Sequence, residues 1–267
     1  MLSAGFDENV SAAARVMKWR SLEESGPGAD RRPLREIYAE RKALSAKYVP
    51  AEIQASHARA VEELKQSGIA DRALQPGSKA PSFELPDRNG KIVRSSDLLA
   101  AGTLVICFFR GRWCPFCVGQ MEAMNAIYPQ IRESGASLVA ISPQTVHQAD
   151  LMADQHKLRF PVLSDAGNKI AREFGLAHRV PDYQQEIYRR AFVNLPFVNG
   201  DDGWELPIPA VFILAGGNAG KPPFDFAQGG SAPRISREGS VVYASANPDY
   251  TDRPEPGKIL SVLSSTL

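Results

Sequence analysis

The spacing of apolar residues along the chain passes from helical to alternating and then to continuous. From Leu34, apolar residues recur near helical spacing at Ile37, Tyr38, Leu44 and Tyr48. After Pro50, which suits a first helical turn, Ile53, His57, Val61 and Leu64 mark a second amphipathic helix that Ser67-Gly68 stops. This predicts a helical pair packed on the main body or on a second subunit, with His57 packed on its apolar face. Phe83 and Leu85 then alternate with polar residues, and Asp87-Arg88-Asn89-Gly90 supplies turn chemistry, which predicts a β-hairpin. Ser95-Ser96-Asp97 is expected to cap a brief helix. The run TLVICFF, Thr103 to Phe109, is continuously apolar and β-rich, as in a strand covered on both faces.

A helix is expected from Pro115 to about Glu133, with Val118, Met121, Met124, Tyr128 and Ile131 on one side and Gly135 at its end. Pro129 should kink it, since proline lacks the amide proton and its ring clashes with the preceding turn. Strand SLVAIS, helix 145–157, strand FPVLSD and helix 168–174 follow. Ala210 to Leu214 and Ser240 to Tyr243 read as late strands, and Pro256 to Leu263 as a closing helix. Strand–helix alternation of this kind indicates an α/β sheet with crossover helices.

Two segments stand outside the pattern. Residues 1–33 are rich in Ser, Gly, Ala and charge, and are expected to be a disordered lead-in. Ala215 to Arg234 holds five glycines and three prolines, a density that prevents regular structure. It reads as an insertion in what would otherwise be a hairpin between the late strands. The organisation expected is a helical extension over 34–70 and a main domain over 75–267 interrupted by that insertion.

A formal charge of +1 with interspersed signs gives no field for nucleic acid or an acidic membrane, so small molecules or proteins are the expected partners. With no secretory start and no apolar window near the ~20 residues of a membrane span, a cytoplasmic protein is expected. The three cysteines, Cys107, Cys114 and Cys117, form no secreted disulfide framework. A zinc site would need two further ligands, and His57, His147, His156 and His178 are scattered, so neither metal nor other cofactor is expected.

Cys114 and Cys117 are therefore read as a redox pair. A strand, a tight turn and a helix put both at a helix N-terminus, where free N–H groups and the dipole stabilise a thiolate. Arg110 and Arg112 are candidate sources of further positive charge. Cys114 is expected to be exposed and Cys117, one turn in, to be shielded.

At WCPFC the sequence resembles the thioredoxin superfamily, with Trp113 before the pair. ELPIPAVFIL resembles the segment that carries its cis-proline, which would be Pro209, exposing backbone to an incoming peptide. GSKAPSFELPDRNGKIV, ASLVAISPQ and FPVLSD are similar to the peroxiredoxin, or AhpC/TSA, family. The resemblance runs from about Ala46 to the C-terminus, the insertion apart, and is nearest to the branch that carries C-x-x-C. It implies a thioredoxin-like fold, a mixed central sheet flanked by helices, here with an N-terminal helical extension.

The departures bear on chemistry. Threading the family's P-x-x-x-T-x-x-C onto RGRWCPFC puts the peroxide-attacking cysteine at Cys117, with Cys114 in the threonine position and Arg110 in the proline position. The arginine that polarises the peroxide would fall near Pro209 and is missing. The buried aspartate that thioredoxins place six residues before the first cysteine is here Phe108. The resemblance implies a thiol peroxidase acting on hydrogen peroxide or organic hydroperoxides, in which Cys117 attacks, Cys114 resolves and a thioredoxin-like dithiol restores the pair. Trp113, Pro209 and Arg112 are the candidate substrate-binding residues, with Arg110 or Arg112 the candidate substitute for the missing arginine. The first alternative is a protein disulfide reductase in which Cys114 is the nucleophile, Cys117 resolves the mixed disulfide, and Trp113 with Pro209 forms the docking surface. The second is a redox-sensing interaction protein, and a homodimer through the helical N-terminus is a candidate assembly.

Overall fold

The computed structural model describes residues 32–217 and 239–266. Most of the expected lead-in and most of the insertion lie outside the described residues.

The chain opens with α1 (Leu34–Tyr48), α2 (Ala51–Gln66) and the short α3 (Ile69–Arg72). The hairpin β1 (Glu84–Pro86) and β2 (Ile92–Arg94) leads into α4 (Ser95–Ala101) and β3 (Leu104–Phe108). Then come α5 (Pro115–Ala126), α6 (Tyr128–Glu133), β4 (Ser137–Ser142), α7 (Val146–Gln155), β5 (Val162–Ser164) and α8 (Lys169–Glu173). An excursion follows, of β6 (Ala177–Arg179), α9 (Asp182–Arg190), α10 (Leu195–Asn199) and β7 (Glu205–Pro207). The chain closes with β8 (Ala210–Leu214), β9 (Val241–Ala246) and α11 (Pro256–Thr266).

The central sheet has the order β5-β4-β3-β8-β9. β3 runs parallel to β4 and antiparallel to β8, so the sheet is mixed and β3 lies at its centre. All five residues of β3 are 0 % exposed. Val105 and Cys107 face one core layer, while Leu104, Ile106 and Phe108 face the other. That is why the run has no alternation: both faces are covered. Phe108 packs on Phe174 and Phe212 at ring separations of 4.9 and 6.1 Å.

The kink expected at Pro129 is a full break, with α5 ending at Ala126 and α6 starting at Tyr128. Ser95 does not cap α4 but is its first residue, and its hydroxyl accepts the Phe83 N–H at 2.9 Å, tying the helix to the hairpin. The run 177–207 shows no apolar pattern of its own, because its strands are only three residues long and pair with each other in a separate sheet.

Helix α1 buries Leu34, Ile37, Tyr38 and Arg41, whereas Leu44 and Tyr48 are exposed. The apolar stripe expected there therefore docks only at its N-terminal half. That half lies against α5. A Cβ at Gly119 would come 2.4 Å from the Arg41 guanidinium, so glycine at that position lets the two helices approach. The Tyr38 hydroxyl donates to the Phe116 carbonyl, and Arg41 donates to the Pro115 carbonyl. No side chain of its own caps α1. Glu255 does so from the far end of the chain, accepting the N–H groups of Leu34 and Arg35 at 2.9 Å each. No helix among the described residues is long and apolar enough to cross a membrane.

Because a lost cap costs on the order of 1 kcal/mol, Glu255→Ala is expected to lower stability by about that amount. Urea denaturation measures the loss, and amide exchange at Ile37 and Tyr38 should accelerate with it.

Candidate active site

The loop from Phe109 to Cys114 leaves the centre of the sheet and turns into α5. Gly111 has φ +152°, and a Cβ there would lie 2.5 Å from the Trp113 indole nitrogen, so glycine lets the indole fold back across the loop. Cys114 is the N-cap of α5 and Pro115 begins the helix, where a missing N–H loses nothing. Cys117 follows within the first turn. The structure brings the two cysteines together as expected, but the exposed position expected for Cys114 is corrected: it is 2 % exposed, and Cys117 is 0 %. The cover over Cys114 comes from Arg110 and from rings contributed by distant segments.

Two arginines reach the sulfurs. Arg110 Nη1 lies 3.8 Å from Cys114 Sγ, and Arg253 Nη2 lies 3.6 Å from Cys117 Sγ. Arg110 is packed among the rings of Trp113, Tyr188 and Tyr250, its guanidinium carbon 4.8, 5.9 and 4.3 Å from their centroids. It also donates to the Tyr188 hydroxyl. Both guanidinium groups are buried, and among the described residues neither forms an ion pair with a carboxylate. A buried cation without an anion is costly, and a thiolate between the two arginines is the anion this site can supply.

The titration of the pair follows. Burial pushes the Cys114 thiol up, but a hydrogen bond from Cys117 and the charges of Arg110 and Arg253 outweigh it and bring Cys114 down to about 5. Burial raises Cys117, and its bond to Cys114 and the negative charge there raise it further, well above the usual thiol range. At neutral pH the pair then carries one proton, on Cys117. Cys107 lies in the middle of β3, where burial pushes its thiol up to about 12 and leaves it inert.

Next to Arg110 a small cleft is lined by His57, Arg110, Gln184, Tyr188, Pro209 and Tyr250, among others, but by neither cysteine. Arg110 touches both this cleft and the Cys114 sulfur. His57 enters from α2, where its Nδ1 donates to Gln184 Oε1 at 2.9 Å while the Gln184 amide donates to Ser56 at 3.0 Å. Its expected packing is observed, and burial lowers its pKa.

The profile of the AhpC/TSA family matches residues 76–215, just over half of the chain. The chain belongs to the AhpC/TSA family. Thiol-disulfide oxidoreductase ResA of Bacillus thuringiensis (strain Al Hakam) is 35% identical to it over 115 residues, which is 42% of this chain and 65% of that protein. Peroxiredoxin Q, chloroplastic, of Triticum aestivum is 31% identical over 110 residues, 41% of this chain and 50% of that protein. The chain thus spans less than two thirds of the length of these relatives. The crystal structure of peroxidoxin BcpB from Mycobacterium tuberculosis has the same fold, with a TM-score of 0.52 at 20% identity over 73% of this chain and 99% of that one.

In this AhpC/TSA protein the other expected site residues fare unequally. Trp113 stacks on Tyr188 at 5.3 Å, and its indole nitrogen has no hydrogen-bond partner among the described residues. Arg112 is not at the sulfurs. Its Nε donates to Gln148 Oε1 at 2.6 Å and its N–H to Gln144 Oε1 at 2.8 Å, so it fastens the loop to α7. Pro209 lines the cleft, but the cis bond expected there is not present: no peptide among the described residues is cis. The chain runs extended from β7 into β8, held by the Ile208 N–H on Leu176 and by the Pro209 carbonyl accepting from Asn247 at 3.2 Å. That carbonyl thus already accepts one hydrogen bond within the chain. Tyr188, Tyr250 and Arg253 were missed. Tyr188 could have been found, since the polar stretch after Pro181 has the start signal of a helix. For Tyr250 and Arg253 the sequence carries no local signal.

With Arg110 changed to methionine, the Cys114 thiolate loses its nearest cation, so its pKa must rise. The midpoint of the alkylation rate against pH is expected to move from about 5 upward by at least one unit. Iodoacetamide labelling of the Cys117→Ser background reads it directly.

Proposed function

We propose that the protein is a thiol-dependent peroxidase that cycles Cys114 and Cys117 between dithiol and disulfide. The observation that carries this reading is a thiolate that is chemically activated but sterically closed. Cys114 has a lowered pKa at 2 % exposure, and the neighbouring cleft reaches it only through Arg110. A hydroperoxide group fits such a place, whereas a protein disulfide would first have to open it. The peroxiredoxin name of one relative agrees.

The roles are the reverse of those that threading implied, because Cys117 is the sulfur held protonated and fully shielded. The Cys114 thiolate attacks the terminal peroxide oxygen, an S–O bond forms and the O–O bond breaks. The departing alkoxide or hydroxide takes the Cys117 proton, leaving Cys114 as sulfenic acid and Cys117 as thiolate. Cys117 then attacks the Cys114 sulfur, the S–S bond forms, and hydroxide leaves and is protonated to water. Arg110, at 3.8 Å from Cys114, is placed to stabilise the charge that develops on the peroxide. A thioredoxin-like dithiol returns the pair to its reduced form, so the reading is one of a reducing compartment, as expected for a cytoplasmic protein.

A second reading, a thiol-disulfide reductase, is favoured by one feature: Cys114 at a helix N-cap with a lowered pKa is also the nucleophile that disulfide exchange needs. The name of the ResA relative points the same way.

A pulse of hydrogen peroxide or an alkyl hydroperoxide on reduced protein separates them. Cys117→Ser should accumulate sulfenic acid at Cys114, and Cys114→Ser should react at least 100-fold more slowly than the unaltered protein. If Cys114 reacts with peroxide no faster than a free thiol of the same pKa, while insulin disulfides are reduced readily, the reductase reading replaces the peroxidase one.

A further inference from the structure

The segment from Asn247 to Glu255, between β9 and α11, has no part in the site as the sequence presents it, yet it carries Arg253 to Cys117. The segment is fixed along its length. Asn247 Oδ1 accepts the Asp249 N–H at 2.9 Å, Asp249 Oδ1 accepts from the Thr251 N–H at 2.9 Å and from its hydroxyl at 2.6 Å, and the Asn247 amide donates to Asp252 at 2.7 Å. Glu255 is held on the N-terminus of α1. Between these anchors the Arg253 side chain points inward at 9 % exposure.

Its hydrogen bonding is incomplete. Nη2 meets Cys117 Sγ at 3.6 Å, but Nε and Nη1 have no partner among the described residues. A buried arginine that only braced a fold would spend those donors on carboxylates or carbonyls, because unmet buried donors are costly. Here the same guanidinium reaches, through Nη2, the sulfur that begins the cycle neutral and must later be charged. Among the described residues no other cation hydrogen-bonds that sulfur: Arg110 sits on Cys114 and reaches Cys117 only through its charge, and the other titratable groups that act on Cys117 are Cys114 itself, Tyr38 from α1 and Tyr188 from α9. The Tyr38 hydroxyl is committed to the Phe116 carbonyl and the Tyr188 hydroxyl to Arg110. Six residues before Cys114 stands Phe108, so no carboxylate from β3 can take the Cys117 proton.

We propose that Arg253 is a catalytic residue of the second half of the cycle, stabilising Cys117 as a thiolate when it attacks the oxidised Cys114 sulfur and again when it leaves during re-reduction. The inference rests on the Cys114/Cys117 cycle above, though not on peroxide being the oxidant. In the attack, a Cys117 lone pair forms the S–S bond and the S–O pair departs with hydroxide. In re-reduction, the thiolate of the dithiol reductant bonds to Cys114, and the S–S electron pair passes to Cys117 beside the guanidinium. The proton lost from Cys117 goes to the leaving oxygen in the first half of the cycle, and Arg253 holds the charge left behind.

The test times the second step by two routes. In one, a peroxide pulse forms sulfenic acid at Cys114, which dimedone trapping follows, and mass spectrometry follows its conversion to the disulfide. In the other, oxidised glutathione forms a mixed disulfide on Cys114, and its release by Cys117 is timed without any peroxide. Arg253→Met and Arg253→Gln remove the charge, and Arg253→Lys keeps it. The expected result is a second step at least tenfold more impaired than the first in the Met and Gln variants, with most of the loss restored by Lys. The pH midpoint of the second step should also move upward when the cation is gone, because the thiolate is then harder to form. Should the Met variant fail to fold, the Gln and Lys variants carry the comparison. A second step at the unaltered rate in the neutral variants, a Lys variant as slow as the Gln one, or equal impairment of both steps would overturn the proposal. If Cys114 ignores peroxide but the glutathione route depends on the charge at 253, the peroxidase reading falls and the role of Arg253 stands.

Discussion

Two guanidinium groups buried against two sulfurs, with no carboxylate paired to them among the described residues, are the constraint around which the rest of the site is arranged. Arg110 and Arg253 together make a positive hole that only an anion on the cysteine pair can fill. Their charges and the internal hydrogen bond outweigh the burial that would otherwise keep both thiols protonated. The helix N-terminus adds to this, but helix dipoles contribute little in comparison with a cation in direct contact. The site is thus activated by placing charge in a dry environment, and the same dryness restricts what can reach it.

Holding that arrangement takes three parts of the chain that are far apart in sequence. The centre of the sheet delivers the loop that carries Arg110 and the cysteines. The excursion between β6 and β7 brings Tyr188, and the segment before α11 brings Tyr250 and Arg253. Helix α1 closes the rear, with Tyr38 and Arg41 bonded to the carbonyls of Pro115 and Phe116. Glu255 joins that helix to the segment bearing Arg253, so both ends of the described chain bear on one turn of α5.

The incomplete hydrogen bonding near the sulfurs has a physical meaning in this frame. Folded chains rarely leave buried donors unmet, and when they do the groups often belong to sites whose charge changes during a reaction. The unpartnered nitrogens of Arg253 and of the Trp113 indole both lie within this site. In the cycle we propose, negative charge moves from Cys114 to Cys117 and back, which would give Arg253 a partner only part of the time.

Periodicity was enough to read the large elements, because long continuous or helical apolar patterns report which faces are covered. The central strand at Thr103 to Phe109, the helix opened by Pro115, a disturbance of it at Pro129 and the hairpin relation of the late strands were all legible, as was the family, from the segments GSKAPSFELPDRNGKIV, ASLVAISPQ and FPVLSD. Short elements escaped: β6 and β7 pair only with each other over three residues, too few for a pattern to emerge. Two partners were not legible: the Arg112 side chain bonds Gln148 rather than a sulfur, and the Pro209 peptide is trans where the resemblance implied a cis bond. The sequence by itself determined that Cys114 and Cys117 would sit together at a strand-to-helix turn, since spacing, proline and glycine are local properties. Only the tertiary structure decided which sulfur carries the charge and how closed it is, because burial and Coulomb interactions depend on side chains such as Tyr188, Tyr250 and Arg253 that reach the pair from distant parts of the chain.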